Sequence, residues 1–197
     1  MGIMETDTAL LNLLRENLVP DVVQNPDAIG LCSPDEKGDM LLGLHLYDIR
    51  ENEEIRINEM VNLDVSKQKY PSVYVTLCYM ITAYSSADVK FRAGEDHKIL
   101  NKVLQVLNDH ALLDADTLTP TAKAQEMNLR IHIANLTLEE KQRLWNFPNH
   151  PYRASLFYRI APVEVESGRL REVKRVVDVE FRVDEKDTEK ETEREHG

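Results

Sequence analysis

The sequence has few of the residues that build common ligand and metal sites. It contains only seven glycines and two cysteines among 197 residues. The glycines are scattered, so they form neither a glycine-rich phosphate loop nor a G-x-S-x-G nucleophile elbow. Cys32 and Cys78 are isolated in apolar surroundings. We interpret them as two reduced core thiols of a cytoplasmic protein, not as a disulfide or as zinc ligands.

Long apolar runs are also missing. No stretch of about 18 apolar residues occurs, so the sequence predicts no membrane-spanning helix. No charged segment followed by an apolar one stands at the N-terminus, and a secretory signal is therefore not expected. Residues 1–6 fit the loose myristoylation pattern, but Glu5 and Asp7 replace the basic patch that would support anchoring. We expect no direct insertion into a membrane.

Positive charge is in short supply. The chain has 24 lysines and arginines against 35 aspartates and glutamates, which gives a formal net charge of −11. This balance argues against nucleic acid or an anionic membrane as the main partner. Part of the excess lies in residues 184–197, which contain no apolar side chain. We predict a folded domain over residues 1–183 and a disordered charged tail over 184–197.

Hydrophobic periodicity predicts an α+β fold. Period-two patterns indicate strands, and stripes at helical spacing indicate about three helices around a mixed, largely antiparallel sheet in one domain. The predicted strands cover 40–50, 73–84, 129–134, 153–166 and a last segment from Val173 to Val183, after a hairpin-like turn at Ser167 and Gly168. The predicted helices cover 7–19, 94–110 and 137–145, and the polar segments 51–70 and 114–127 are predicted as connections.

The segment 137–166 has the most detailed local pattern. Thr137 and Glu140 have the spacing of a capping box, and the single tryptophan, Trp145, lies at the end of the helix that this box begins. The alternation of the following strand changes parity at Pro162, which predicts a bulge or a bend there. These signals indicate architecture and not catalysis.

The candidate sites also have structural explanations. We predict Glu95, Asp96 and His97 at the start of a helix, where they could bind a metal or act in catalysis, but an ordinary first turn is the stronger interpretation. The aromatic cluster of Trp145, Phe147 and Tyr152 could line a ligand pocket, but we interpret it as part of the core. Arg153 and Arg159 could meet an acidic partner, but we interpret them as solvated residues of a half-exposed strand.

Six segments in order carry a resemblance to a known family. They are Thr8–Leu18, the LYDIREN segment Leu46–Asn52, Pro71–Tyr84, Glu95–His110, Leu136–Trp145 and Tyr152–Val163. Together they resemble the cap, or tail-terminator, proteins of extracellular contractile injection systems, which are phage-tail-like particles that drive a tube through a contracting sheath. The resemblance covers about residues 8 to 166.

The resemblance implies a non-enzymatic structural protein without a cofactor. Such a cap forms a homohexameric ring on the end of the inner tube and sheath distal to the baseplate, ends polymerisation and helps to set particle length. Its partners would be its own copies, the tube protein and the sheath protein, within a particle that is assembled in the cytoplasm and then released or attached to a membrane. Caps of this family are often longer than this chain.

Exposed sheet edges are natural contacts in such an assembly because their backbone groups accept another strand. We expect strands 153–166 and 170–183 to supply one edge. The candidate interface residues are Trp145, Phe147, Tyr152, Arg153, Arg159, Val173, Val177 and Phe181. Two rivals remain open: a small cytoplasmic enzyme with a site near Glu95 and His97, and a monomeric adaptor that uses the apolar surface around Trp145.

Overall fold

The computed structural model of the protein describes residues 2–55, 59–64, 66–113 and 129–172. Within these ranges there are three α-helices, α1 (Ile3–Leu18), α2 (Val89–Asp109) and α3 (Leu138–Leu144). The strands are β1 (Ile29–Leu31), β2 (Leu42–Glu51), β3 (Val61–Asn62), β4 (Lys67–Lys69), β5 (Val73–Ala83), β6 (Leu112–Leu113), β7 (Leu129–Ile133), β8 (Ser155–Val165) and β9 (Leu170–Glu172).

Six strands form the main sheet, in the order β1-β2-β5-β8-β7-β6. Every neighbouring pair in this sheet is antiparallel except β1 and β2, which run parallel. The α+β fold with a mixed, largely antiparallel sheet is therefore confirmed. The strands predicted at 40–50, 73–84 and 153–166 correspond to β2, β5 and β8, which are all interior strands of this sheet.

The principal core lies between one face of the main sheet and the helices α1 and α2. Alternate residues of β5, including Leu77 and Ile81, meet Leu10 and Leu14 of α1 and Val103 of α2, and each of these side chains is at most 1% exposed. The predicted helical stripes therefore face this core. Burial of these apolar side chains is the main favourable contribution to folding.

The opposite face of the main sheet is only partly covered. The short helix α3 and the segment after it cover one end of this face, where Met80, Phe157 and Trp145 form a smaller core. The predicted capping box is confirmed: the Thr137 side chain accepts a hydrogen bond from the Glu140 N–H, and the Glu140 carboxylate accepts one from the Thr137 N–H. None of the described helices packs on the remaining part of this face.

Two bulges set which side chains reach the open face. Leu77 of β5 pairs with Ile160 of β8, and Val75 pairs with Val163. Two steps along β5 therefore correspond to three steps along β8. Ala161 and Pro162 form the bulge that the parity change predicted. A second bulge at Tyr47 in β2 was not predicted. After this bulge Asp48 pairs with Cys78 and Ile49 pairs with Leu77.

Three further expectations are corrected. Helix α2 begins at Val89, so Glu95, Asp96 and His97 lie in its second turn and beyond, not in its first turn. The segment 51–70, predicted as a connection, contains β3 and β4. The strand after Ser167 and Gly168 does not form a hairpin with β8; β9 pairs instead with β4.

Several predictions fall on other parts of the chain. The polar connection 114–127, the last predicted strand (from Val173 to Val183) and the charged tail 184–197 lie outside the described residues.

Candidate assembly surfaces

A small second sheet extends from one end of the main sheet. It contains β3, β4 and β9, in the order β3-β4-β9, and we call it the terminal ribbon. The β5–β8 ladder ends at the pair Val73 and Val165, and β4 and β9 pair again from Lys69 and Leu170. Between them the Tyr70 N–H donates to the Arg169 carbonyl oxygen at 3.1 Å. The ribbon thus continues one antiparallel ladder beyond the helices.

Local polar contacts hold the terminal ribbon together. Lys69 Nζ lies 2.5 Å from Glu166 Oε2, and the Arg169 guanidinium lies 4.3 Å from the centre of the Tyr70 ring. Asp64 Oδ1 accepts hydrogen bonds from the N–H groups of Ser66 and Lys67, each at 2.7 Å, which closes the turn between β3 and β4. The backbone and hydroxyl hydrogen bonds of Ser66 lower the pKa of the Asp64 carboxyl.

Apolar side chains are exposed on and beside the terminal ribbon. Their exposed fractions are 52% for Val61, 53% for Leu63, 52% for Val73, 40% for Val165 and 57% for Leu170. Short strands without a covering helix bury little apolar surface of their own. A group of exposed apolar residues next to strand edges is typical of a protein interaction surface.

The expectation that the strand at 153–166 supplies a free edge is corrected. Residues 158–161 of β8 pair with β7 on one side, and nearly the whole strand pairs with β5 on the other. The outer strands of the main sheet, as described, are β1 and β6, while β3 and β9 are outermost in the ribbon. Of the two predicted edge segments, only 170–172 lies at an edge among the described residues.

The uncovered part of the main sheet forms a groove of about 690 Å³, which we call the open-face groove. Its floor has a row of three register partners across β5, β8 and β7, which are Cys78, Arg159 and His132. Asp48 of β2 is the register partner of Cys78 at the end of this row. Beside this row, Arg50 lies opposite Thr76 on β2 and β5, and Arg130 lies opposite Ala161 on β7 and β8. The β8 bulge borders the groove.

Basic and acidic side chains lie on different sides of the open-face groove. Arg130 and His132 of β7 and Arg159 of β8 are exposed on the floor. Among the described residues none of the ion pairs involves Arg130 or Arg159, whereas Arg50 Nε contacts Asp48 Oδ2 at 2.5 Å. The groove therefore has a cationic side along β7 and β8.

The acidic side of the groove is the segment after β2. It carries Glu51, Glu53 and Glu54, all exposed. Asn52 is buried and fixes this segment: its N–H donates to the Tyr74 carbonyl oxygen at 2.8 Å, and its side-chain oxygen accepts the Glu54 N–H at 3.0 Å. The groove thus has acidic and basic sides at fixed positions.

The three aromatic residues of the predicted cluster pack against one another. Trp145 is 7% exposed, and its ring centre lies 5.7 Å from that of Phe147 and 5.9 Å from that of Tyr152 in edge-on contacts. The Trp145 indole N–H donates to the His150 carbonyl oxygen at 3.2 Å. Tyr152 is the most exposed ring of the three at 39%. The core interpretation is confirmed for Trp145.

Arg153 differs from the solvated side chain that the sequence predicted. Its Nη1 donates to Asp96 Oδ2 at 3.0 Å and to the Ala83 carbonyl oxygen at 3.1 Å, and its guanidinium lies over the Tyr84 ring. Asp96 Oδ1 accepts the Ser85 N–H at 2.7 Å. This network joins α2 to the ends of β5 and β8. Arg159, by contrast, is exposed as predicted.

The geometry around Glu95 and His97 does not resemble a catalytic centre. Glu95 pairs with Lys98 at 2.7 Å, and the neighbouring Asp96 is used by Arg153. His97 lines a hollow of about 340 Å³ together with Leu100 and Tyr152. Within residues 2–55, 59–64, 66–113 and 129–172, no group of three histidines, cysteines or carboxylates could hold a metal ion. The same ranges contain no helix that could cross a membrane.

Comparison with known protein families shows which family the chain belongs to. Residues 5–178 match the family described as the Pvc16 N-terminal domain. The chain belongs to the Pvc16 N-terminal domain family. The match includes the whole main sheet, the terminal ribbon, helices α2 and α3, and α1 except its first two residues. No curated protein sequence matches the chain.

Two solved structures related to this Pvc16 N-terminal domain chain have the same fold. One is the sheath/tube terminator of PVC, an extracellular contractile injection system, in the extended state, with a TM-score of 0.66 and 19% identity over 94% of this chain. The other is the tube-terminating cap of the anti-feeding prophage, with a TM-score of 0.62 and 19% identity over 93% of this chain. The chain spans 64% and 62% of their lengths. The resemblance to cap and terminator proteins is confirmed.

Some candidate surface residues of this family member were missed by the sequence analysis. Arg130 and His132 were treated only as the polar side of a short strand, although register with β8 places them beside Arg159. Val61 and Leu63 were placed in a polar loop. The alternation of Arg130 and His132 indicates that both side chains lie on the same face of a strand. Which residues lie beside them depends on the order of strands in the sheet, which the sequence does not give. Val173, Val177 and Phe181 lie outside the described residues, and the interface assignments of all eight predicted residues stay predictions.

Proposed function

We propose that this chain is a structural cap at the end of the tube and sheath of a contractile injection particle. In this role it forms a homohexameric ring on the end distal to the baseplate, stops polymerisation and helps to set particle length. The observation that carries the proposal is the terminal ribbon, which extends a paired ladder beyond the core and exposes apolar side chains next to strand edges. The family membership and the two terminator structures support it.

Ring formation places a physical requirement on the surface. A closed ring of identical subunits joins two different patches head to tail, with a rotation that returns to the first subunit. The terminal ribbon supplies one patch, with β3 and β9 as its outermost strands among the described residues. The second patch would be a surface of the main body, and the predicted interface residues around Tyr152 and Arg159 are candidates for it.

Tube and sheath are the other proposed partners. A terminator has to match the end of a helical polymer without presenting a new end that can grow. A ribbon built from short strands suits this task, because its exposed apolar residues and backbone edge can bind a preceding subunit. We expect neither nucleic acid nor a membrane to be the main partner, consistent with a formal net charge of −11.

A structural role is preferred to the two rivals. Glu95 and Asp96 are occupied by ion pairs with Lys98 and Arg153, so the enzyme hypothesis has no assembled centre at that position. The adaptor hypothesis relies on an apolar surface around Trp145, but that side chain is 7% exposed. We propose that the protein is not an enzyme and that the assembled particle, formed in the cytoplasm, is released or membrane-attached.

The proposal is tested by electron microscopy of particles from cells with and without this gene. We expect tubes and sheaths of irregular or excessive length in the deletion strain and normal lengths after the gene is restored. A His97→Ala gene should restore them equally well, because a cap needs no catalytic histidine. Particles of normal length with intact ends in the deletion strain would refute the cap function.

A further inference from the structure

The open-face groove has a charge pattern that fits one segment of the same chain. We propose that residues 184–197 bind in this groove as an extended strand, either in their own subunit or in a neighbouring copy. The proposal goes beyond the cap function and does not depend on it. It rests on the segregated charges of the groove and on the order of charges in this segment.

The segment alternates acidic residues with basic or neutral ones at every second position. Glu185, Asp187, Glu189, Glu191, Glu193 and Glu195 occupy the odd positions. Between them stand Lys186, Thr188, Lys190, Thr192 and Arg194. Successive side chains of an extended strand point to opposite sides. In an extended conformation, residues 185–195 would therefore present six carboxylates on one side and three cations on the other, and Asp184 would lie on the cationic side.

The groove is complementary to both sides of such a strand. Arg130, Arg159 and His132 can contact the carboxylate side, and Glu53 and Glu54 on the opposite wall can contact the cationic side. A uniformly acidic segment would be repelled by that wall, so the fit depends on alternation and not only on net charge. Arginine is well suited to this contact because its planar guanidinium binds a carboxylate through two hydrogen bonds.

The connection from the described residues to the segment is long enough for this binding. Residues 173–184 can span at most about 40 Å between Glu172 and the segment. That length suffices to cross a domain of this size, so binding within one subunit and between copies are both within reach.

Photo-cross-linking of the full chain tests the proposal. A photoreactive benzoylphenylalanine replaces Thr188, and mass spectrometry maps the products after irradiation. We expect cross-links to peptides that contain 50–55, 130–133 or 159–162. The double reversal Arg130→Glu with Arg159→Glu should lower their yield about tenfold, because exposed ion pairs are weak singly but reversal replaces attraction by repulsion. The matched reversal Arg143→Glu, on α3, should leave the yield unchanged.

A charge swap separates binding from a general structural effect. Changing Glu189, Glu191 and Glu193 to arginine in the double-reversal protein should restore the groove cross-links. Raising sodium chloride to about 0.5 M should weaken the cross-links of the native sequence, because salt screens exposed charges. If the double reversal no longer melts cooperatively, Arg130→Gln and Arg159→Gln are used singly, with a partial loss of yield expected from each.

Three results would overturn the proposal: no cross-links to the groove, cross-links that survive every arginine substitution, or a charge swap that fails to restore them in folded protein. Mixing isotopically labelled and unlabelled chains assigns the location. Cross-links within one isotope class mean binding in the same subunit, and mixed cross-links mean exchange between copies. Either of these results supports the proposal.

Discussion

The Tyr79 hydroxyl donates a hydrogen bond to Asp7 Oδ1 at 2.6 Å, and both residues are buried. This contact connects β5 to α1 across 72 positions of sequence. Asp7 is 5% exposed, so its carboxylate would be left without this donor in an apolar environment if the hydroxyl were removed. The sequence analysis treated Asp7 only as a charge near the N-terminus.

We expect Tyr79→Phe to lower the free energy of unfolding by about 2 kcal/mol, because an unsatisfied buried acceptor is left behind. Urea denaturation at neutral pH measures the change. Tyr152→Phe is the matched control: its ring is 39% exposed, and we expect a change within about 0.5 kcal/mol. Equal effects of the two substitutions would show that the buried pair contributes nothing specific.

Alkaline pH should destabilise the protein through its buried tyrosines. Burial raises the pKa of Tyr84 and that of Tyr47 to about 12, and burial and the Asp7 carboxylate raise that of Tyr79 further. Above about pH 10 the unfolded tyrosines lose protons that the folded ones keep, so unfolding becomes more favourable as pH rises. The contribution of these tyrosines to stability should be constant below this range and fall through it. A urea midpoint that does not decrease between about pH 9 and 11 would contradict this reasoning.

Gly43 is expected to tolerate no side chain. A Cβ at this position would overlap Cys32 Sγ and approach Tyr84 Cε2 to 2.9 Å. We expect Gly43→Ala to destabilise the fold by about 1–3 kcal/mol, since a packed core has to shift to accept the methyl group. Thermal unfolding provides the measurement.

Gly94 is the matched control for this substitution. It lies in the interior of α2 with nothing within 4 Å of an added Cβ. Gly94→Ala should stabilise the protein by about 0.5–1 kcal/mol, because alanine has a higher helix propensity than glycine. Stabilisation by Gly43→Ala, or destabilisation by Gly94→Ala, would show that the packing around these glycines differs from that described.

Arg153 precedes β8 and Arg159 lies within it, and the two arginines should respond differently to removal. Arg153→Ala leaves Asp96, whose side chain is 19% exposed, without its cation. We expect a loss of about 1–3 kcal/mol in unfolding free energy for this variant. For Arg159→Ala, which removes an exposed side chain, we expect a change within about 0.5 kcal/mol. Similar losses for both would place Arg159 in a stabilising network.

The terminal ribbon should be needed for capping and not for folding. Leu170 is 57% exposed, so Leu170→Asp should change stability by no more than about 0.5 kcal/mol. If the ribbon binds a partner, the variant should fail to restore normal particle lengths in the deletion strain. Leu138→Asp, at a position that is 61% exposed on α3, is the matched control and should restore them. Normal capping by Leu170→Asp would remove the ribbon from the interface.

Local signals explain the accurate part of the sequence analysis. The alternation in β5, the stripe in α2 and the capping box at Thr137 each arise within a few residues, so neighbouring side chains alone determine them. The bulge at Pro162 was also visible locally, because a one-residue slip reverses the parity of every later side chain. Helix boundaries were less accurate: α2 begins five residues before the predicted start, where Val89 and Phe91 are exposed and add little periodicity.

Sequence alone determined the element types, the α+β class and the order of segments that resembles the cap family, because these depend on local periodicity. Tertiary structure decided which residues become neighbours. Strand order made β8 an interior strand, β4 the partner of β9, and Arg130 and His132 neighbours of Arg159. These pairings connect residues distant in sequence, and their energies depend on packing and register that no short segment encodes.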